Sequence, residues 1–179
     1  GYEQSDISWN GHSIEARLYA EDPDNDFLPE TGTLIAFEED YEAEARWDSG
    51  VESGSIVGTS FDPMLAKVIS YGATRTDAAT KLARALEAAH IGGLTTNRDF
   101  LVATLKTQEF LDGDTTTDFI DRVKPPRALV LSDEQIKHVT AIAALWIQEL
   151  NRLHDDVLGH LPSGWTNGRT PVSYTHLTL

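Results

Sequence analysis

The stretch GHSIEARLYAEDPDNDFLPETG, from Gly11 to Gly32, decides the fold. In its first half apolar residues occupy every second position, which is the period of a half-buried β-strand. The apolar positions are Ile14, Ala16, Leu18 and Ala20, and the alternate positions are Ser13, Glu15, Arg17 and Tyr19. We therefore predict a strand over 12–20 with one face in the core. Asp22-Pro23 is expected to end it, because proline lacks a backbone donor and restricts the preceding residue.

Composition limits the classes of protein to consider. The chain has 179 residues, of which 40% are hydrophobic, enough for one cored domain or one domain and part of another. No apolar run approaches the length of a membrane span, and no signal peptide opens the chain. Because the first residue is glycine, we interpret the sequence as a fragment of a longer protein. The absence of cysteine excludes disulfides and thiolate catalysis and favours a cytoplasmic location.

The chain is strongly acidic, with 29 acidic against 14 basic residues and a net charge of -15. Nucleic acid and anionic membrane surfaces are therefore not expected as partners, since both require a basic face. An anionic substrate would need a local group of cations within this acidic background.

Further strands are predicted downstream. TLIAF over 33–37 is typical of a strand. The segment 44–48 alternates in polarity, and Ala43, just before it, shares one face with Ala45 and Trp47. The apolar segment 64–71 is predicted to be a buried strand, with Lys67 and Tyr71 on the same face. Glycines at 50, 54 and 58 divide the region into short segments, which indicates an antiparallel meander or a barrel-like sheet.

The period changes to that of helices at Thr74, which is predicted to cap a helix ending at Gly92-Gly93. Asn97 is predicted to cap a second helix, and Phe119 and Ile120 are expected to pack on the core. After VKPPR, a clear linker sequence, Ser132 and Gln135 predict a capped helix over 133–158. Its apolar face carries Ile136, Val139, Ala143, Trp146, Leu150 and Leu153.

Several motifs in one order carry a resemblance to a known family. They are GHSIEARLYAEDP, RWDSGVESG, FDPMLAKVISYG, ATRTDAATKLARAL and GGLTTNRDFL. Together they resemble the C-terminal domain of biotin carboxylases, as in the biotin carboxylase (alpha) subunits of acetyl- and propionyl-CoA carboxylases. The resemblance implies an α+β domain over 1–122, an antiparallel β-sheet with covering helices. A linker over 123–131 and a long helix follow, within a segment (132–170) that leads toward the carboxyltransferase-contacting and carrier region. The tail 171–179 is unassigned.

The resemblance also implies a function, the ATP- and bicarbonate-dependent carboxylation of biotin in an acyl-CoA carboxylase. The implied cofactors are biotin on a carrier domain and ATP with Mg²⁺ and bicarbonate, bound mainly by an upstream half. The implied partners are the biotin carboxyl carrier domain, the carboxyltransferase subunit and further copies of the full-length chain. The fragment alone is expected to be inactive. Two alternatives stay open: the same domain of a pyruvate or urea carboxylase, and a non-catalytic interaction module.

Arg17 is the predicted catalytic residue. In the family the arginine of this strand faces the active site, where a fixed guanidinium suits an oxyanion on biotin. The pattern alone is equally typical of a strand arginine paired with Glu15. Glu15 and Asp62 are expected to hold the guanidinium, and Lys67 to lie beside it.

The remaining site predictions lie elsewhere in the chain. Arg46 and Trp47 are expected at a contact between subunits, and Thr117 at the adenine of ATP, where the family often has a larger apolar residue. No metal site is predicted, because the histidines lack the spacing of a zinc-binding helix and the aspartates after Glu21 lack the glycine and glutamate of a calcium loop.

Overall fold

The structure, a computed structural model, describes residues 1–40 and 42–154. The chain divides into two compact units, Gly1–Leu129 and Val130–Leu179. The strands of the first unit are β1 (His12–Tyr19), β2 (Glu21–Asp22), β3 (Leu28–Pro29), β4 (Gly32–Thr33), β5 (Ala36–Glu38), β6 (Ala45–Ser49), β7 (Ile56–Val57), β8 (Met64–Gly72) and β9 (His90–Gly92). Its helices are α1 (Arg75–Ala88), α2 (Arg98–Leu105), α3 (Gln108–Asp112) and α4 (Phe119–Val123), and α5 (Asp133–Leu153) lies in the second unit.

The central sheet has three antiparallel strands in the order β1-β8-β6. The alternation predicted for β1 is confirmed, because Ala16, Leu18 and Ala20 are buried and Arg17 is exposed. β8 follows the same rule, with Ala66 and Val68 buried on the core side. The predicted α+β class with an antiparallel sheet is thereby confirmed.

The other strands form three separate two-stranded ladders, β2-β3, β4-β7 and β5-β9. The predicted strand over 33–37 is wrong as a single element. Its start pairs with β7, and its end pairs with β9, so the chain changes partner at Leu34 and Ile35. Among the residues that the structure describes, the ladders do not close into a barrel.

Helix α1 covers the core face of the central sheet. Thr74 caps it as predicted, since the Thr74 hydroxyl accepts a hydrogen bond from the Asp77 amide at 3.1 Å. Its buried residues pack with Ala16 of β1 and Val68 of β8; they are Ala79, Leu82, Ala83, Ala85 and Leu86. A second cluster, at the other end of the sheet, includes Leu18, Leu34, Phe37, Val57 and Leu65.

The predicted end of α1 at Gly92-Gly93 is wrong. The helix ends at Ala88, because Ala89 is extended and β9 begins at His90 to pair with β5. Gly93 is required for a different reason: its φ of +104° is a left-handed conformation, and a Cβ there would collide with the Thr33 carbonyl oxygen.

Helices α2 and α3 pack against α1 and against each other. Phe119 is buried and lies edge-on to Phe110 at 6.3 Å between ring centroids, as expected for a segment that returns to the core. Ile120 is 41% exposed, so its predicted packing is wrong. Beyond α4, the Arg127 guanidinium donates to the Pro23 carbonyl oxygen at 2.6 Å, which attaches this part of the proposed linker to the first unit.

Helix α5 begins as predicted. The Ser132 hydroxyl accepts from the Gln135 amide, and the Gln135 side chain accepts from the Ser132 amide, which is a complete capping box. The helix is described to Leu153; the predicted continuation to 158 and the segments up to 179 lie outside the described residues. No helix in the described part of the chain combines the length and the apolar character needed to cross a membrane.

The close approach of α1 to the end of β8 gives a test of the packing. A Cβ at Gly72 would collide with the Ala78 amide nitrogen and lie 2.7 Å from an Asp77 carboxylate oxygen. We expect Gly72→Ala to lower the free energy of unfolding by about 1–3 kcal/mol, because the helix backbone must move away. Gly58→Ala is the matched control, since nothing lies within 4 Å of a Cβ there. Equal stability of the two variants in urea titrations would contradict the packing described.

Candidate functional site

The face of the central sheet opposite α1 carries four of the predicted site residues, Glu15, Arg17, Arg46 and Lys67. Strand register places Arg17 opposite Lys67 and Lys67 opposite Asp48, while Ile69 lies between Glu15 and Arg46. We call this surface the outer sheet face; its residues are Glu15, Arg17, Arg46, Asp48, Lys67, Ile69 and Tyr71. It is built on three hydrogen-bonded strands, so its backbone positions are rigid.

Arg17 extends from β1 with 61% of its side chain exposed. Its Nε donates to Glu15 Oε1 at 3.3 Å. Hydrogen bonding with Glu15, and then with the Tyr19 side chain, raises the pKa of Arg17 above its ordinary value. Arg17 is therefore a permanent cation on the outer sheet face.

Arg46 and Asp48 form a second ion pair on the same face. Arg46 donates from Nε and Nη2 to the two carboxylate oxygens of Asp48, at 3.0 and 2.6 Å. The hydrogen bond from Arg46 is the main reason that the pKa of Asp48 is lowered, and the positive charge of Lys67 adds to the effect. Lys67 thus lies between the two ion pairs, and the face holds three cations against two carboxylates.

Asp62 does not hold Arg17, contrary to our expectation. Its carboxylate accepts a hydrogen bond from the Met64 amide at 2.9 Å and so fixes the start of β8. Burial raises the pKa of Glu21, and the negative charge of Asp62 raises it further, so the charge of Asp62 acts on Glu21.

The structure separates Trp47 from Arg46. Trp47 lies opposite Val68 on the core side of the sheet, where it packs against both core clusters and meets Phe37 edge-on at 6.2 Å. Of the two residues predicted at a subunit contact, only Arg46 is on the outer sheet face. Thr117 is exposed in the loop before α4.

Asn97 is a residue whose part in the site the sequence did not indicate. It begins α2, but its side chain makes no capping hydrogen bond. Instead Nδ2 donates to the Arg17 carbonyl oxygen at 3.2 Å, and Oδ1 accepts from the Tyr19 amide at 2.9 Å. Its distance of 80 residues from Arg17 gives no local pattern to detect.

In the described residues, no group of three or more histidine, aspartate or glutamate side chains has the arrangement of a metal site. The outer sheet face carries the guanidinium groups of Arg17 and Arg46 and the ammonium group of Lys67. Groups of this kind can pair with anions, and a guanidinium does so through donors that lie in one plane.

Comparisons with known proteins agree with this architecture. The family model of the biotin carboxylase C-terminal domain matches residues 15–122. The chain is 43% identical to biotin carboxylase 2 of Bacillus subtilis over 66% of this chain and 27% of that protein. It is 33% identical to the mitochondrial methylcrotonoyl-CoA carboxylase subunit alpha of Arabidopsis thaliana over 90% of this chain and 24% of that protein.

Solved structures show the same fold. The complete pyruvate carboxylase of Rhizobium etli matches with a TM-score of 0.66 and 34% identity, over 73% of this chain and 13% of that one. The biotin carboxylase domain of a thermophilic 2-oxoglutarate carboxylase bound to bicarbonate matches with a TM-score of 0.66 and 31% identity, over 69% of this chain and 28% of that one. The chain thus spans about a quarter of the curated relatives named above, and it belongs to the biotin carboxylase C-terminal domain family.

Proposed function

We propose that this chain is the C-terminal part of the biotin carboxylase component of a biotin-dependent acyl-CoA carboxylase. Its task is to supply Arg17 to the site where biotin is carboxylated, and to carry part of the contacts between subunits. The observation that carries the proposal is the exposed guanidinium of Arg17 on a rigid strand, held by Glu15 within the region that matches the family.

An acyl-CoA acceptor is favoured by how far the similarity extends. The match to the methylcrotonoyl-CoA carboxylase subunit includes 173 residues, which is longer than the domain over 1–122 and must include part of the later segment. The same domain in a pyruvate or urea carboxylase is the alternative, and the similarity to pyruvate carboxylase keeps it open. The adjoining coding sequence distinguishes them, because the acceptor is chosen by the carboxyltransferase.

The residues of the outer sheet face fit an anionic reaction centre. Glu15 accepts its hydrogen bond from Nε of Arg17, so it does not occupy the two terminal nitrogens. A guanidinium presents donors in one plane, so it stabilises negative charge that develops on an oxygen in front of it. Lys67, the cross-strand neighbour, adds positive charge without competing for the same geometry.

When bound, biotin supplies the ureido nitrogen that accepts the carboxyl group. Arg17 would face the ureido oxygen and stabilise the charge that appears there as the nitrogen loses its proton. We propose that ATP, Mg²⁺ and bicarbonate are held mainly by residues outside this chain, with Thr117 near the adenine. On this proposal the chain alone has no turnover, and the whole enzyme is an ATP-dependent ligase of fatty acid metabolism.

The proposal includes the partners and the location. The biotin carboxyl carrier domain approaches the outer sheet face, and Arg46 lies at the contact between copies of the enzyme, with Trp47 supporting its strand from the core side. A cytoplasmic location completes the proposal, although the methylcrotonoyl-CoA carboxylase relative is mitochondrial.

Replacement of Arg17 tests the proposed chemistry. In the full-length enzyme we expect Arg17→Ala to lower kcat by about a hundred- to a thousandfold, the typical loss when one oxyanion donor is removed. Biotin-dependent ATP cleavage is the measurement. Arg17→Lys should recover little of the rate, because an ammonium keeps the charge but lacks the planar fork.

Two controls accompany this test. Arg84→Ala removes an arginine of α1, on the other side of the sheet, and is expected to leave kcat unchanged. Thermal unfolding of each variant shows whether the fold is intact. Near-normal turnover in a folded Arg17→Ala enzyme would reject the role of Arg17.

Helix α5 supports a second function, docking on the carboxyltransferase subunit. Its apolar residues repeat at intervals of three and four, and large ones are exposed: Val139 is 55%, Trp146 67% and Leu153 72% exposed. A non-catalytic interaction module would use the same helix. An amphipathic helix of this kind binds by laying its apolar face into a groove of its partner.

Introducing a negative charge on one or the other face of α5 separates docking from catalysis. We expect Trp146→Glu to weaken binding to the carboxyltransferase subunit by at least about tenfold. The aromatic side chain that would be buried in the complex is lost, and the new charge would have to be desolvated there. Gln148→Glu adds the same charge outside the apolar repeat and should bind normally. Biotin carboxylation should be equal in both variants. Equal affinities measured by calorimetry would exclude this face as the docking surface.

A further inference from the structure

Asn97 connects α2 to the edge of the central sheet. β1 pairs with β8 on one side only, so its other edge exposes backbone groups near Arg17. The Asn97 side chain, in a residue only 6% exposed, donates to the Arg17 carbonyl and accepts from the Tyr19 amide. The Asn97 amide also donates to the Tyr19 carbonyl at 3.1 Å. One residue therefore makes the three hydrogen bonds that a neighbouring strand would otherwise make.

The chemistry of the carboxamide suits this place. An asparagine side chain offers one acceptor and a donor group in the geometry of a peptide unit, which lets it replace a strand at a sheet edge. Its orientation follows from its partners, because the opposite orientation would bring two donors together and two acceptors together. Aspartate has no donor for the Arg17 carbonyl, and alanine has neither group.

The position of these bonds is also informative. The register between β1 and β8 shifts between Leu18 and Tyr19: Leu18 lies opposite Ala66, but Tyr19 lies opposite Met64, so the extra residue is Leu65 of β8. A register shift of this kind bends the strand and changes the direction of nearby side chains. Asn97 contacts Arg17 and Tyr19, on either side of Leu18, so its hydrogen bonds hold the backbone of β1 where the register shifts.

The helix receives no cap from this side chain. Although Asn97 is the N-cap residue directly before α2, its side chain bonds to β1 rather than to the first turn of the helix. α2 is fixed separately, because Arg98 donates to the Ala89 carbonyl at 3.3 Å and to Asp99 at 3.0 Å. The side chain of Asn97 is thus committed to the strand that carries Arg17.

We propose that Asn97 is a positioning residue for Arg17: it holds the irregular end of β1 so that the guanidinium meets the developing anion. The inference rests on the proposed function, since it requires Arg17 to act in catalysis. It predicts that the effect of Asn97 on turnover passes through Arg17, whereas a merely structural residue would act independently of it.

A double-mutant cycle in the full-length enzyme tests this dependence. Asn97→Ala alone should lower kcat by about ten- to a hundredfold, because small displacements of a catalytic group cost that much. In the Arg17→Ala background the same change should lower kcat by no more than about twofold. Asn97→Asp, of equal size and with one of the two side-chain bonds, should be intermediate. Losses that simply multiply in the double variant would overturn the inference.

Thr74→Ala is the matched control for stability. It removes the cap of α1 on the opposite side of the sheet and touches neither β1 nor Arg17. At temperatures where each variant is folded, Thr74→Ala should keep kcat within about twofold of the unaltered enzyme. An equal loss of kcat in Thr74→Ala and Asn97→Ala would assign the effect to general destabilisation.

The outcomes separate this inference from the proposed function. If Arg17→Ala keeps its turnover, the proposed function fails; if Arg17→Ala loses turnover and Asn97→Ala does not, only the positioning role fails. A measurement on the unaltered chain needs no variant to fold: the Tyr19 amide should exchange with solvent as slowly as the amides of β8. Exchange as fast as in the exposed loop before α4 would overturn the role of Asn97.

Discussion

The antiparallel register between β1 and β8 is the constraint on which the rest of the structure depends. Because side chains alternate across a sheet, a slip of one residue would turn Arg17 into the core and Ala16 out to solvent. Ala16 and Leu18 are 5% and 0% exposed and pack against α1 and the second core cluster, so such a slip would expose apolar surface and bury a charge. The apolar residues on one face thereby fix the position of the cation on the other.

This constraint also explains how an acidic chain presents a cationic surface. The formal charge of -15 is spread over the whole chain, but register places Arg17, Lys67 and Arg46 on adjacent strands of one face. At about 0.15 M salt, charges separated by more than about 8 Å are largely screened, so the local arrangement matters more than the total. An anion at the outer sheet face therefore meets neighbouring cations, each fixed at its base by a strand.

Hydrophobic period and capping residues predicted the elements that carry the site. They did not predict element ends that are set by pairing between distant strands. The alternation in β1 and β8 and the cap at Thr74 are local signals, and each is found where the sequence indicated. The end of α1 is not set by a local signal. The segment His90–Gly92 forms β9 and pairs with β5, and this pairing takes precedence over helix propensity. Thus Gly92 lies in β9 and Gly93 adopts a left-handed conformation, although the pair had predicted the end of a helix.

The same distinction separates the parts of the candidate site. The Arg17–Glu15 pair joins residues two positions apart on one strand, and it was predicted. The separation of Trp47 from Arg46 follows from the same alternation, since adjacent strand residues face opposite sides, yet the resemblance had grouped them. Asn97 was predicted to cap a helix and does precede α2, but its side chain makes no cap; its bonds to Arg17 and Tyr19 depend on packing that no sequence period reports.

Two groups hold Arg17, and they do different work. The pair with Glu15 is exposed, and exposed ion pairs are screened by solvent and hold a rotamer-rich side chain only weakly. Glu15 therefore orients the guanidinium without immobilising it. The hydrogen bonds from the buried Asn97 side chain to the backbone of Arg17 and Tyr19 instead fix the point from which the Arg17 side chain extends. The fold thus fixes the backbone position of Arg17, while its guanidinium stays free to adjust when an anion binds.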